Sequence, residues 1–353
     1  MPSVTDLAVL SALRRVQDPD LHTDVVTLGF VRDLAIDDGR VSFTLELTTP
    51  ACPVKGLLER QARDEVLKIP GVQEVHVRLT ARVRAAGIAP GDEQPAIKNT
   101  IAVSSGKGGV GKSTVAVNLA IALARAGARV GLVDADVYGP NVPMMMGARG
   151  LPGMFGGRMI PVVSQGIRVI SIGFFVPPEE AAIMRGPILS STVKQFLFDV
   201  DWGELDYLVI DLPPGTGDAQ LTLCQVIPLT GAVMVTTPQA VALHDVRKGL
   251  AMFRQLHVPI LGVVETMSYY TCPHGERVHL FGEGGGPAIA AEFGVPLLAQ
   301  LAFDPATQRG GDAGEPVVAA LPESEQARAF TTLAGRVAAQ VSIQSLRPMP
   351  AVS

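Results

Sequence analysis

From residue 99 onward the chain alternates short, unbroken apolar runs with longer stretches of mixed polarity. The runs at 101–104, 130–133, 207–210, 232–236, 261–264 and 297–302 are dense in Val, Ile, Leu and Ala. Strands buried on both faces have that character, because a parallel sheet is covered by helices on either side. The stretches at 114–125 and 242–256 supply the helical crossovers that parallel strands need. This pattern predicts an α/β fold: a doubly wound, mostly parallel sheet closed by a helix over 323–341. Before residue 85 the rhythm differs. A helix over 7–14, strands over 29–36 and 41–47, a helix over 54–69 and a strand over 72–79 describe a small α+β domain. Asp38-Gly39 between two apolar runs is a hairpin signal. Residues 85–98, rich in Ala, Pro and Gly without periodicity, read as a linker. The expected division is therefore 1–84 for the small domain, 85–98 for the linker, 99–343 for the large domain and 344–353 for a tail.

Composition sharpens this. The chain has 353 residues, 47% of them hydrophobic and 5% aromatic, with 37 glycines, which suits an aliphatic core with many strand-to-helix turns. The net charge is −5 and no basic run is present, which argues against a nucleic-acid or anionic-lipid surface. No apolar stretch reaches bilayer length, and the N-terminus lacks the layout of a signal peptide. Three cysteines, Cys52, Cys224 and Cys272, cannot build a disulfide framework. The expected compartment is the cytoplasm.

The candidate chemistry begins at Gly106-Lys107-Gly108-Gly109-Val110-Gly111-Lys112-Ser113-Thr114. This fits G-x-x-x-x-G-K-[ST] between an apolar run and a helix, the context of a phosphate-binding loop. Its glycines let backbone N–H groups turn onto phosphate, and the helix dipole adds to the attraction. Lys112 is placed to reach the β- and γ-phosphates, and the Ser113 hydroxyl to bind Mg²⁺. Lys107 is either a solvated loop charge or a cation offered in trans to phosphates on a neighbouring subunit. Two runs then end on carboxylates: Asp134 and Asp136 after Leu132-Val133, and Asp211 after Leu208-Val209-Ile210. Strand C-terminal ends line the ligand crevice of a doubly wound sheet. The expectation assigns Asp136 to the attacking water, Asp211 to the metal with Asp134 in support, and Gly215-Thr216-Gly217 to sensing the γ-phosphate. Helix capping is the alternative role for each aspartate.

Taken together, the 106–114 loop, Asp134-Ala135-Asp136 with Tyr138-Gly139-Pro140, Arg185-Gly186-Pro187 and the run from Asp206 to Asp218 resemble the Mrp/ApbC family. Those ATPases carry the lysine-bearing variant of the phosphate loop and are related to MinD. Thr236-Thr237-Pro238-Gln239 and Met267-Ser268-Tyr269 fit the same pattern. Asp18-Pro19-Asp20 and Thr48-Thr49-Pro50-Ala51-Cys52-Pro53 resemble the small iron–sulfur-assembly domain that many of those proteins carry. The resemblance implies a homodimer that binds ATP and Mg²⁺ and delivers a [4Fe–4S] cluster to apoprotein recipients, without nucleic acid or membrane as partner.

The sequence departs from that pattern at the expected cluster site. The family pairs two cysteines as C-P-x-C, whereas here Cys272-Pro273-His274-Gly275 offers one. Four thiolates is the usual complement of such a cluster. Three outcomes stay open: His274 or His279 completes the set, Cys52 contributes, or cluster binding is gone and the ATPase remains. Cys224 reads as core. Thr266 stands where the family has Asn, so its hydroxyl replaces an amide facing adenine. The Met144-Met145-Met146 run reads as core filling, or else as a soft partner surface. Three other functions compete: a positioning ATPase of the MinD or partition type, a metal-free dimeric switch, and an electron-transferring reductase. The first relies on a basic amphipathic end, but residues 330–353 hold only Arg336 and Arg347. The third would need two well-placed cysteines in the large domain.

Overall fold

The computed structural model describes residues 4–85, 97–176 and 186–346. Most of the expected linker, Arg185 and the end of the expected tail lie outside them, as do the side chains of Gly186, Pro187 and Asp218. The chain divides into two compact units, Met1–Arg84 and Ala85–Ser353.

In the first unit, strand Val31–Asp37 pairs antiparallel with Arg40–Leu47, which pairs parallel with Glu74–Ala81. The tight turn at Asp38 and Gly39 has φ of 40° and 81°. Both residues are left-handed, as a two-residue hairpin loop with the twist of its strands requires. Helix Lys55–Leu67 makes the parallel crossover and buries Leu58, Ala62 and Val66 against Val41, Phe43 and Leu45 of the central strand.

The second unit is built on an eight-stranded sheet. Its spatial order is Val162–Ser164, Ile167–Ser171, Val130–Asp134, Tyr207–Asp211, Thr100–Ser105, Gly231–Thr236, Ile260–Glu265 and Leu297–Gln300. Every pairing is parallel except that of Val162–Ser164, an antiparallel edge strand. The first strand of this unit, Thr100–Ser105, thus sits at the centre. The chain runs out to one side, returns at Tyr207–Asp211, and crosses over to Gly231–Thr236. That reversal opens a crevice at the carboxyl ends of the central strands. Strands Thr100–Ser105, Val130–Asp134, Tyr207–Asp211 and Gly231–Thr236 are buried along their whole length. Helices Lys112–Arg125 and Glu325–Leu346 pack on one another.

The hydrophobic pattern did not mark the pair Val162–Ser164 and Ile167–Ser171, nor helix Gly186–Phe198. Polar Ser164, Gln165 and Arg168 break the apolar run there, because one strand of the pair is a half-exposed edge. The last strand stops at Gln300, short of the expected residue 302, and the freed Leu301 and Ala302 line the crevice instead.

The single tryptophan, Trp202, is fully buried, and its indole N–H donates to Phe196 O at 2.8 Å. It reports unfolding of the second unit. Phe253→Ala, at a fully buried site of the same core, is expected to lower that unit's unfolding free energy by about 3–5 kcal/mol. Urea titration followed by Trp202 fluorescence measures it.

Candidate functional site

Strand Thr100–Ser105 delivers the chain into the 106–111 loop, and helix Lys112–Arg125 starts immediately beyond it. Gly109 and Gly111 take φ of 77° and 80°, left-handed values that glycine adopts without strain. Gly106 is required for a different reason. A Cβ there would lie 2.5 Å from the backbone at Asp245 and Val246, so only glycine lets the loop rest on that helix. The loop borders a cavity of about 670 Å³. Lys107, Gly108, Gly109, Gly111, Lys112, Ser113 and Thr114 all line it, while Val110 turns inward and is buried.

The functional side chains converge at the end of that loop. Lys112, only 6% exposed, places Nζ 2.6 Å from Asp211 and 3.4 Å from Asp136. The Ser113 hydroxyl donates to the other Asp211 oxygen at 2.5 Å. Burial pushes the Asp211 carboxyl up, and the Lys112 ammonium beside it opposes that shift. Asp136 lines the cavity, and its Oδ1 is buried with no hydrogen-bond partner among the described residues. An orphaned acceptor of this kind is costly unless a ligand or water satisfies it. The oxygen donors of Ser113 and Asp211, beside the Asp136 carboxylate, suit a hard cation such as Mg²⁺.

Asp134 is not brought to the cavity. It is fully buried, and its carboxylate accepts from Asp136 N–H at 3.1 Å, Val142 N–H at 3.2 Å and the Ser171 hydroxyl at 2.9 Å. Burial, and then the Asp211 charge, push its pKa up, while those donors favour the charged form. Its structural part is to fix the segment that carries Asp136. Lys107 stays with its own chain, where its ammonium donates to Gln239 Oε1 at 3.3 Å. Gly215, with φ of 96°, donates its N–H to Ser105 O at 2.9 Å, and Pro214 lines the cavity. Thr266 lines the cavity. Its Oγ lies 2.6 Å from Val110 O and 3.0 Å from Thr236 O, so it ties the loop to the neighbouring strand end.

The far wall of the cavity escaped sequence reasoning. It is made of Met144, Met145, Leu301, Ala302, Phe303 and Phe330, a largely apolar lining suited to a planar base and its sugar. The methionine run is split: Met146 is fully buried, Met144 is 53% exposed, and both Met144 and Met145 face the cavity. Asp304 had a local signal, since Asp-Pro begins a helix. Its carboxylate caps helix Pro305–Ala313 through Ala306 and Thr307 N–H groups.

The cysteines are separate. Cys224 is core, its thiol pushed up to about 12 by burial. Cys52 is half-buried in the first unit, and burial pushes it up to about 11. Cys272 opens the turn of a short hairpin, Tyr270–Thr271 with Arg277–Val278, and its carbonyl accepts from Gly275 N–H at 2.9 Å. His274 is exposed, and His279 Nδ1 lies 2.9 Å from Ser268 O. Among the described residues no three His, Cys, Asp or Glu side chains of one chain are grouped to hold a metal. Among the described residues, too, no helix is long and apolar enough to cross a membrane.

A parallel sheet whose central strand feeds a glycine loop, a buried lysine and a hydroxyl-bearing helix start defines a P-loop NTPase. Residues 96–338 match the model of the family described as NUBPL iron-transfer P-loop NTPase, and residues 6–77 that of the iron-sulfur cluster assembly protein family. The chain belongs to the NUBPL iron-transfer P-loop NTPase family, with an iron–sulfur-assembly module at its N-terminal end. It is 49% identical over 352 residues to an iron-sulfur cluster carrier protein of Synechocystis, covering 97% of this chain and 99% of that one. Among solved structures it is similar to a nucleotide-binding protein in complex with ADP from Archaeoglobus fulgidus. That match has a TM-score of 0.59 and 39% identity, over 67% of this chain and 93% of the other. The cell division ATPase MinD of Pyrococcus furiosus follows, with a TM-score of 0.54, 26% identity, and 68% and 98% coverage. The resemblance read from the motifs is thereby borne out.

Two outcomes test this geometry. Gly106→Ala is expected to displace the loop from the Asp245–Val246 backbone and weaken nucleotide binding by at least about tenfold, measured by titration calorimetry. The Cys52 thiol, with its pKa raised, is mostly protonated at pH 8. Its alkylation rate should therefore keep climbing to about pH 11, as followed by peptide mass mapping.

Proposed function

We propose that this chain is an ATP-hydrolysing homodimer that carries iron–sulfur clusters to apoprotein recipients in the cytoplasm. The observation that carries the reading is the meeting of Lys112, Ser113, Asp136 and Asp211 at one end of a nucleotide-sized cavity, in the same unit as the Cys272 hairpin. The name of the Synechocystis relative, an iron-sulfur cluster carrier protein, supports the cargo.

The backbone N–H groups of the 106–111 loop and the Lys112 ammonium hold the β- and γ-phosphates of ATP. Ser113 and Asp211 would hold Mg²⁺, which would neutralise phosphate charge. Asp136 accepts a hydrogen bond from the attacking water and aligns it with the γ-phosphorus. Attack releases phosphate and leaves ADP. Lys107 leaves Gln239 and reaches the phosphates bound by the partner subunit, adding positive charge where negative charge builds up. Departure of the γ-phosphate relaxes the turn at Gly215. The cluster is the substrate of transfer, and Cys272 offers it one thiolate from each subunit.

One observation favours a second reading, a dimeric ATPase switch without cargo: Cys272 is the sole cysteine of its hairpin, so a dimer pools two thiolates there. Iron and acid-labile sulfide per dimer after anaerobic reconstitution separate the two. The carrier reading predicts about four iron atoms per dimer, lost in Cys272→Ala. Background iron in both proteins leaves the switch. For the trans lysine, Lys107→Ala is expected to bind ATP normally and hydrolyse it about 10³-fold more slowly. Unchanged turnover assigns Lys107 to solvent.

A further inference from the structure

Strands Ile260–Glu265 and Leu297–Gln300 are neighbours in the sheet, and their pairing continues past both strand ends. Leu301 N–H donates to Glu265 O at 2.7 Å, Ser268 N–H to Leu301 O at 2.9 Å, and Phe303 N–H to Tyr269 O at 2.7 Å. Segments 265–269 and 300–303 therefore form one ladder. Met267, Leu301, Ala302 and Phe303 of that ladder line the cavity. Its other end runs straight into the Tyr270–Thr271 strand and Cys272.

The neck of the cargo loop is tied shut from inside. Glu265, 1% exposed, accepts from the Ser268 hydroxyl at 2.8 Å, from Gly286 N–H at 2.5 Å and from the Gln300 amide at 2.9 Å. The loop's entry and exit are thus held by one carboxylate. A Cβ on Gly286 would lie 2.7 Å from Glu265 Cβ, so the clamp also depends on glycine at the exit. With the neck fixed, the contact between cavity wall and hairpin is aromatic. The Tyr270 ring meets the Phe303 ring edge-on, centroids 6.4 Å apart at 63°. Tyr270 itself does not line the cavity. Phe303 therefore has one neighbour in the cavity and another in the hairpin.

We propose that Tyr270 is a positioning residue: through Phe303 it makes the Cys272 hairpin respond to occupancy of the base end of the nucleotide cavity. This rests on reading the cavity as the nucleotide site and Cys272 as the cargo thiol. A base packed on the wall holds Phe303 against Tyr270 and keeps the hairpin closed. The γ-phosphate is not needed for that, so ADP sets the hairpin as ATP does. Hydrolysis then times the dimer, while nucleotide exchange opens the thiol.

The test is the rate at which N-ethylmaleimide alkylates Cys272, followed by peptide mass mapping in the full chain. Cys52→Ser removes the other accessible thiol. MgADP and a non-hydrolysable ATP analogue are each expected to slow alkylation by the same factor, at least about fivefold. Tyr270→Ala should abolish the slowing while nucleotide affinity stays within about twofold, and Tyr270→Phe, which keeps the ring, should restore it. Slowing by the analogue alone would overturn the inference and leave control with the γ-phosphate and the Gly215 turn. Slowing that survives Tyr270→Ala, or no change although nucleotide binds, overturns it too. Failure of either nucleotide to bind would sink the nucleotide reading itself.

Discussion

Burying the Lys112 ammonium to 6% exposure is tolerable only because Asp211 stands 2.6 Å from it and Asp136 3.4 Å. A cation taken out of water without partners costs several kcal/mol. The fold supplies those partners from three separate strand ends, brought side by side by the order of the sheet. Thr100–Ser105 leads to the lysine, Tyr207–Asp211 ends on one carboxylate, and Val130–Asp134 leads to the other. Asp134 contributes from beneath, by holding the backbone of Asp136. Two carboxylates, Asp211 and Asp136, face that one ammonium. A magnesium-bound phosphate chain, which brings its own cation, fits that balance better than a bare phosphate.

The same sheet connects the phosphate loop to the Cys272 hairpin. Thr266 ties the phosphate loop to the strand that ends at Glu265, and Glu265 ties both ends of the Cys272 loop to the adjacent strand. The phosphate loop and the Cys272 hairpin are thus built on neighbouring strand ends. Two hydrogen-bonded strands link one to the other.

Much of this was legible in the chain because the signals were local. The glycine spacing of 106–114 states a backbone conformation, and the apolar runs state burial on two faces. The position of Asp136 on the cavity wall was readable because the segments after strand ends line the crevice in this architecture. Asp134 was not, since two residues' difference in position decides whether a carboxylate faces a cavity or a backbone N–H. Thr266 and the apolar wall at 301–303 were also hidden, because their partners lie far away in sequence and meet them only through sheet order. The edge pair at 162–171 was masked by its own exposure: edge strands carry polar residues that blur the alternation. The single Cys272 was plain in the sequence, but its place at the mouth of a clamped loop was not.

The central claim is that Lys112 and its carboxylates are the phosphate site on which the rest is built. Isothermal titration of MgATP into the wild-type chain and into Lys112→Ala tests it most directly, with circular dichroism to confirm that the variant folds. Removing a charge-assisted donor to two phosphates should weaken binding by at least about 100-fold. Equal affinity in the two proteins would contradict the account.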